Sequence, residues 1–320
     1  MLFITLIINN YKKRQTNLEN NYICSVSFIY ETNIKIMPKK YINTINAIID
    51  EHPYKVFTTM EFITLWQKAR NMYGFSSFSM RKFAQRLSEF NFIEKVSMAD
   101  NERSVYLVYG IQNKQPDIFD FAAARSRSSY FSYYTALFIH GLTLQIPKHI
   151  YLTNERGTRN LYDNTITQEA IDNAFSKSPR ETNNLRFLKD YTIHQIHGRA
   201  NNKLGVISYR ENLAVTDIER TLIDVVTRSF YAGGVTQVIE GFKNAKEKIN
   251  IEKLLSYYKE MNFIYPYHQA IGFYLEKAGY EEKAFIPFLQ MEQKFKFYLS
   301  YNIRFKEFSS RWNLYYPKGL

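Results

Sequence analysis

The stretch "AVTDIERTLIDVVTRSFYAGGV", residues 214–235, puts Asp217, Glu219, Arg220 and Asp224 within eight positions and ends in Gly233-Gly234. Four readings compete: an acid-base site, a metal cluster, a phosphate loop, or the start of a well-made helix. Thr216 and Glu219 have the spacing of a capping box, and Ile218, Leu222, Val225 and Val226 recur as a buried stripe. Asp217 and Glu219 then lie in the first turn, where the helix dipole favours negative charge, and Arg220–Asp224 is an i,i+4 pair worth about 0.2–0.5 kcal/mol. A helix over 217–229 therefore accounts for every charge, and the four are expected to build it and present a surface rather than to catalyse. Gly233-Gly234 ends it and starts the next helix, with no Lys-Ser/Thr following as a phosphate loop needs.

Upstream, "SYFSYYTALFIHGLTLQIPKHIYLTNE" reads from Ser129 as an apolar helix stopped by Gly141, a turn with Pro147 and a strand in His149–Thr153. "YTIHQIHG" and "LGVISYRENLAVT" are two further strand candidates, and helices follow at about 235–247, 252–261 and 267–278. Together these predict a mixed α+β domain over 129–301, with 302–320 as a tail. Three residues apart on one strand, His194 and His197 face opposite sides and do not easily share an ion. His140, at a helix C-terminus, is expected to interact with the dipole or be otherwise satisfied.

Before this domain, "GIQNKQPDIFDFAAARSRSS" carries Pro116 and a Ser/Arg run, so 111–128 reads as a linker. From Met37 to about Tyr109 the order is helix, helix, helix, strand. Ile42, Ile45, Ile48 and Ile49 recur at helical spacing. Thr58 and Glu61 form a capping box ahead of Phe62, Leu65, Trp66 and Ala69, and Gly74 stops that helix. A third helix, capped by Ser77 or Ser79, turns Met80, Phe83, Leu87 and Phe90 inward and Arg81, Lys82, Gln85 and Ser88 outward, with Arg86 at the margin. An apolar stretch, a polar turn at 99–102 and a strand in Val105–Tyr109 complete the order of a winged helix-turn-helix over 37–110. In that arrangement the third helix enters the major groove, where Arg and Gln suit guanine and adenine edges. A plain three-helix bundle with a solvated face is the rival.

Composition agrees with a nucleic-acid partner. The chain has 320 residues, enough for two domains, and a formal charge of +12. The excess is spread, with ten Lys/Arg against seven Asp/Glu in 37–110 and twenty-eight against twenty-one in 111–320. Its only cysteine, Cys24, excludes an internal disulfide and any multi-cysteine zinc site, as expected of a reducing cytoplasm. The opening "MLFITLIINNYKKRQ" has the wrong order for a secretory signal and is too short to span a bilayer, so no membrane association is expected. Residues 1–36 are Asn-rich and without a sustained period. They are expected to be translated upstream sequence, with Met37 the true start, against the competing reading of a disordered basic arm.

"VTDIERTLIDVVTRSFYAGGV" resembles the Glu-Arg-Thr-Leu-x-Asp segment and Gly-Gly turn in the C-terminal domain of AbiEi antitoxins, from type IV abortive-infection toxin-antitoxin pairs. "YYTALFIHGLTLQIPKHIYLTNE" is similar to that family's helix ending His-Gly-Leu-Thr, followed by Gln-x-Pro and a strand, and "QAIGFYLEKAGY", 269–280, to a third segment. The motif residues carried by this resemblance are His140, Gly141, Leu142, Thr143, Gln145, Pro147, Glu219, Arg220, Thr221, Asp224, Gly233 and Gly234. It covers about 37–301; the leader and the tail beyond 301 depart from the family pattern. The resemblance implies an N-terminal winged helix on an α+β antitoxin domain and an autorepressor binding double-stranded DNA at inverted repeats in its own promoter. It also implies a functional partner, a nucleotidyltransferase toxin countered without a stable complex. The implied DNA contacts are Ser79, Arg81, Lys82, Gln85 and Arg86 on the third helix and Arg103 in the wing.

Enzyme readings fare worse. A nucleotidyltransferase needs a Gly-Ser turn and paired Asp residues for Mg²⁺, yet no glycine precedes serine and no Asp-x-Asp occurs. Glu281-x-Lys283 and Glu292-x-Lys294 match the short half of an Asp...Glu-x-Lys nuclease pattern, but no preceding Asp is well placed. We therefore expect no catalytic activity, cofactor or metal. A DNA-binding regulator without a toxin partner is the alternative, and the nuclease the lesser one.

Overall fold

A computed structural model describes residues 39–72, 75, 77–100, 104–157 and 166–320. The Ile-rich helix α1 spans Lys39–Asp50 and buries Ile45, Ile48 and Ile49. A short strand β1, Val56–Thr58, leads into α2, Thr59–Met72. The capping box at its start is real: the Thr58 N–H donates to Glu61 Oε2 at 2.8 Å and the Glu61 N–H to Thr58 Oγ1 at 3.1 Å. Helix α3, Met80–Glu89, is capped by Ser79 rather than Ser77, with the Lys82 N–H donating to its hydroxyl. Two strands follow, β2 over Ile93–Ala99 and β3 over Val105–Ile111, paired antiparallel. One short strand thus joins the expected three helices and two strands.

No slack linker follows. Residues 112–114 make a 3-10 turn, and α4, Ile118–Ala123, opens on a reciprocal Asp117–Asp120 capping box and buries Phe119, Phe121 and Ala122. The segment read from Ser129 as helix begins instead as strand β4, Tyr130–Phe131, before α5, Tyr133–Ile139. Strand β5, His149–Arg156, is followed by α6, Gln168–Phe175, and β6, Leu185–Leu188, neither of which was anticipated. Next comes β7, Tyr191–Arg199. The second strand candidate is a hairpin, β8 over Val206–Arg210 and β9 over Leu213–Thr216, turning at Asn212, whose φ of 60° is the left-handed value asparagine tolerates.

Helices then dominate: α7 Ile218–Thr227, α8 Val235–Ala245, α9 Ile251–Met261, α10 Tyr267–Lys277 and α11 Glu282–Leu289. Strands β10 Phe297–Tyr298, β11 Lys306–Ser309 and β12 Leu314–Pro317 form a small sheet in the order β10-β12-β11. The stretch expected to be a tail is therefore ordered structure. Trp312 is fully buried against α10, and a Cβ at Gly272 would collide with its ring, so that position needs glycine. The buried Gln269 side chain donates to the Trp312 carbonyl at 2.8 Å, holding the segment down.

The fold is mixed α+β, built on a nine-stranded sheet in the order β1-β3-β2-β6-β7-β5-β4-β9-β8, among the described residues. The sheet joins the two regions expected as separate domains through the pairing of Ala99 in β2 with Phe187 in β6. Arg127 adds a two-pronged grip on Glu61 at 3.0 and 2.6 Å, the planar guanidinium matching the carboxylate. Residues 44–320 form one compact unit. No described helix is long and apolar enough to cross a membrane.

Candidate functional site

Helix α3 sorts its side chains as its 3.6-residue period dictates. Phe83 and Leu87 are buried, Arg81, Lys82, Gln85 and Ser88 face solvent, and Arg86 is intermediate. Phe62 of α2 and Phe75 lie against Phe83, with ring centroids 5.9 and 5.6 Å apart, so the helix is fixed by its apolar side and leaves its polar side free. Trp66 donates its indole N–H to the Phe78 carbonyl at 2.9 Å, which pins the connection between α2 and α3. On the outer face Gln85 donates to Glu89 at 2.8 Å and Arg86 pairs with Glu89 at 3.3 Å, while the Lys82 ammonium sits 5.3 Å from the Phe78 ring. Arg81 and Gln85 share a shallow groove with Lys95 of β2. Arg103 lies outside the described residues.

The charges opening α7 do not lie on a surface. Asp217, Glu219, Arg220 and Asp224 are each 4–6% exposed. The helix cap is Asp217, which accepts from the Arg220 N–H at 2.9 Å; Thr216 instead bonds Thr221, hydroxyl to hydroxyl, at 2.8 Å. Aspartate caps at least as well as threonine, and moving the cap one residue on frees Glu219 from its expected box partner. Glu219 reaches the next helix, accepting from the Asn250 N–H at 2.8 Å just before α9 and from Lys253 at 2.9 Å. Lys253 also pairs with Asp217 at 3.0 Å. Burial alone would lower the Lys253 ammonium, but the two carboxylates outweigh it and hold it above its ordinary value.

Arg220 is the centre of the cluster. It donates to Asp224 at 2.9 Å and to the Leu204 carbonyl at 2.7 Å, and Glu155 of β5 is 4.0 Å away, itself hydrogen-bonded by Tyr130 at 3.0 Å. Burial pushes the Asp224 carboxyl up and Arg220 pulls against it. The approach of residue 205 is so close that a Cβ there would lie 2.7 Å from the Arg220 Cβ.

The two motif segments meet. Helix α5 ends at Gly141, whose φ of 65° suits glycine, with the Leu142 N–H closing back on the Leu137 carbonyl at 2.8 Å. His140 donates from Nε2 to the Thr216 carbonyl at 2.6 Å, directly tying this turn to the head of α7. Leu142, Thr143 and Pro147 are buried, whereas Gln145 is exposed and accepts from the Tyr134 hydroxyl at 3.3 Å. Gly233 and Gly234, at φ 83° and 94°, carry the chain from a 3-10 turn over 229–232 into α8.

No known family model matches this chain, and no curated protein does. It is similar in structure to the RV2827C protein from Mycobacterium tuberculosis, with a TM-score of 0.53 over 88% of this chain and 92% of that one, at 10% identity. That likeness concerns the fold.

Sequence reasoning missed the partners of the α7 charges, Glu155, Lys253 and Tyr130, because each comes from a distant element. It also missed a histidine pair: His149 Nδ1 and His194 Nε2 are 2.9 Å apart on neighbouring strands. Their register, His149 opposite Thr192 in a parallel pair, is invisible without the fold. His197 is exposed while His194 is buried, as their spacing required. Glu281 and Lys283 simply pair with each other at 2.7 Å on the surface.

Proposed function

We propose that this protein is a DNA-binding autorepressor and the antitoxin of a type IV pair, similar to AbiEi antitoxins, whose residues 37–110 act as a winged helix-turn-helix. The observation that carries the reading is α3. Arg81, Lys82 and Gln85 stand exposed on one side of a helix fixed from behind by aromatic rings, in a helix–strand–helix–helix–strand–strand segment. A rigid helix with exposed Arg and Gln is what major-groove reading needs, because bidentate donors must arrive at base edges in fixed register. On this reading Ser79, the N-cap of α3, and Lys82 would meet phosphates, which position without reading sequence. Arg86, tied to Glu89, is a secondary contact released only on binding. Arg103 would reach the backbone from the wing.

The α7 cluster supports the antitoxin half only as architecture: it fixes how α5, α7 and α9 meet. By the resemblance, that domain counters a nucleotidyltransferase toxin from the neighbouring reading frame without forming a stable complex.

The test is a titration of the full chain onto the DNA upstream of its own reading frame and onto scrambled DNA, at two salt concentrations, with the R81A/Q85A variant alongside. We expect binding about tenfold or more tighter to the upstream DNA, lost in the variant. Equal, salt-sensitive binding to both DNAs would reduce the positive charge to non-specific affinity and end the repressor reading. Co-expression with the adjacent nucleotidyltransferase should restore growth; failure to do so with DNA binding intact would leave a plain regulator.

A further inference from the structure

Arg228 closes α7, its backbone N–H donating to the Asp224 carbonyl at 3.1 Å. Eight residues earlier, Arg220 spends its guanidinium on Asp224, the Leu204 carbonyl and the Glu155 neighbourhood. Arg228 does none of this. Half-buried, its guanidinium has no hydrogen-bond or ion-pair partner among the described residues. It faces a cavity of about 940 Å³, between the β5–β7 strands and the helices α7 and α10. That volume is within the roughly 300–1,000 Å³ of small-molecule sites.

The charge in this cavity is unbalanced. Arg180, Arg199, Arg220 and Arg228 line it against Asp224 and Glu181, and Asp224 is already engaged by Arg220. Tyr133, Tyr231 and Asp224 favour the Arg228 charge from nearby, but no described residue accepts a hydrogen bond from its guanidinium, and a bound anion supplies those acceptors. Its planar fork of donors suits the oxygens of a phosphate. Arg180 and Arg199 are both exposed, so they stand at the mouth where further phosphates would lie. The walls are aromatic: Phe230 and Tyr301 meet edge to face at 5.9 Å, and Tyr133 stands 5.3 Å from Tyr231. Such rings accept a flat heterocycle by stacking or edge contact.

We propose that this cavity binds a nucleotide, its phosphate held by Arg228 and its base lying against Phe230 and Tyr301. The site is separate from α3 and stands whether or not the DNA reading does.

The experiment uses calorimetry and thermal melting of the full chain with adenosine and cytidine mono- and triphosphates, the two unphosphorylated nucleosides, and inorganic phosphate. We expect at least one nucleotide to bind and raise the melting temperature, with its nucleoside and inorganic phosphate each at least about tenfold weaker. R228Q should lose about tenfold or more in nucleotide affinity while still unfolding cooperatively in the absence of ligand. R180Q at the mouth should lose several-fold. No nucleotide binding at millimolar concentration overturns the proposal. So does inorganic phosphate binding as tightly as any nucleotide, which would make this an anion site only. Should R228Q fail to fold, R180Q and F230A carry the test, and unchanged affinity in both overturns it.

Discussion

Helices α3 and α7 each carry a run of charged and polar side chains along ten residues, and the fold treats the two runs in opposite ways. On α3 the polar residues are exposed and only the apolar stripe is covered. On α7 even Glu219, Arg220 and Asp224 are buried, because α5, α9 and the chain at Leu204–Gly205 close over them. Both patterns read along the chain as an amphipathic helix with a charged face. What separates an exposed charged face from a buried scaffold is what packs on that face, and packing belongs to the tertiary structure.

The sharpest way to break this contrast is to remove a charge from each helix. Arg220→Ala removes the nearest counter-ion of the buried Asp224 and Glu155, which costs about 3 kcal/mol. Urea unfolding should show that loss, and the apolar pair R220M/D224L should recover the part of it due to Asp224, Glu155 keeping its Tyr130 donor. A loss in R220A below about 0.5 kcal/mol, the level of ordinary surface changes, would mean the cluster is not the scaffold we describe.

Buried ionisable groups also make the 129–320 region acid-sensitive in a way α3 is not. His194 and His268 are both held near a pKa of about 4, from 6.5, mainly by burial, with His149 adding to the effect at His194. A folded-state value below the unfolded one means the unfolded chain takes up the proton first. The stabilising effect is complete above pH 6.5, falls as pH drops through that window, and is gone below about 4. Each histidine accounts for about 3 kcal/mol across it. Unfolding free energy measured from pH 7 to 4.5 should fall steeply, and H268Q should flatten the slope; an equal slope in that variant would remove His268 as a cause.

The helices α1, α3, α7, α9 and α10 were legible in the sequence, since each repeats apolar residues every three or four positions. So was the mixed class of the 129–301 region. Strand β6 was not: four residues, half-exposed, leave no periodic signal. The segment after 301 was illegible because its one decisive residue, Trp312, acts through a glycine forty positions earlier. The outward residues of α3 were visible from spacing alone, and their placement follows it. The α7 charges were visible too, but not their fate: Lys253, Glu155 and Tyr130 meet them through sheet pairing and helix contact, which no local pattern encodes.

Lys253 tests the margin between the two regimes. Its side chain is 41% exposed yet bridges Asp217 and Glu219 at 3.0 and 2.9 Å. Because solvent screens the ammonium, Lys253→Ala should cost only about 1 kcal/mol, well under R220A. The two carboxylates keep the Arg220, Tyr257 and Asn250 donors after the substitution. An effect as large as that of R220A would place Lys253 inside the scaffold rather than at its rim.

The smallest expected effect is the most informative for function. R81A/Q85A removes exposed side chains from α3, of which only Gln85 makes a hydrogen bond, to Glu89 on the same helix. Alanine is the better helix former, so unfolding free energy should stay within about 0.5 kcal/mol of the parent. Side chains that contribute so little to their own fold, on a helix braced from behind by Phe62 and Phe75, are available to a partner. If the same double substitution destabilised the protein by 2 kcal/mol or more, these residues would be serving the fold as Arg220 does. Any loss of DNA binding in the variant could then no longer be assigned to lost contacts.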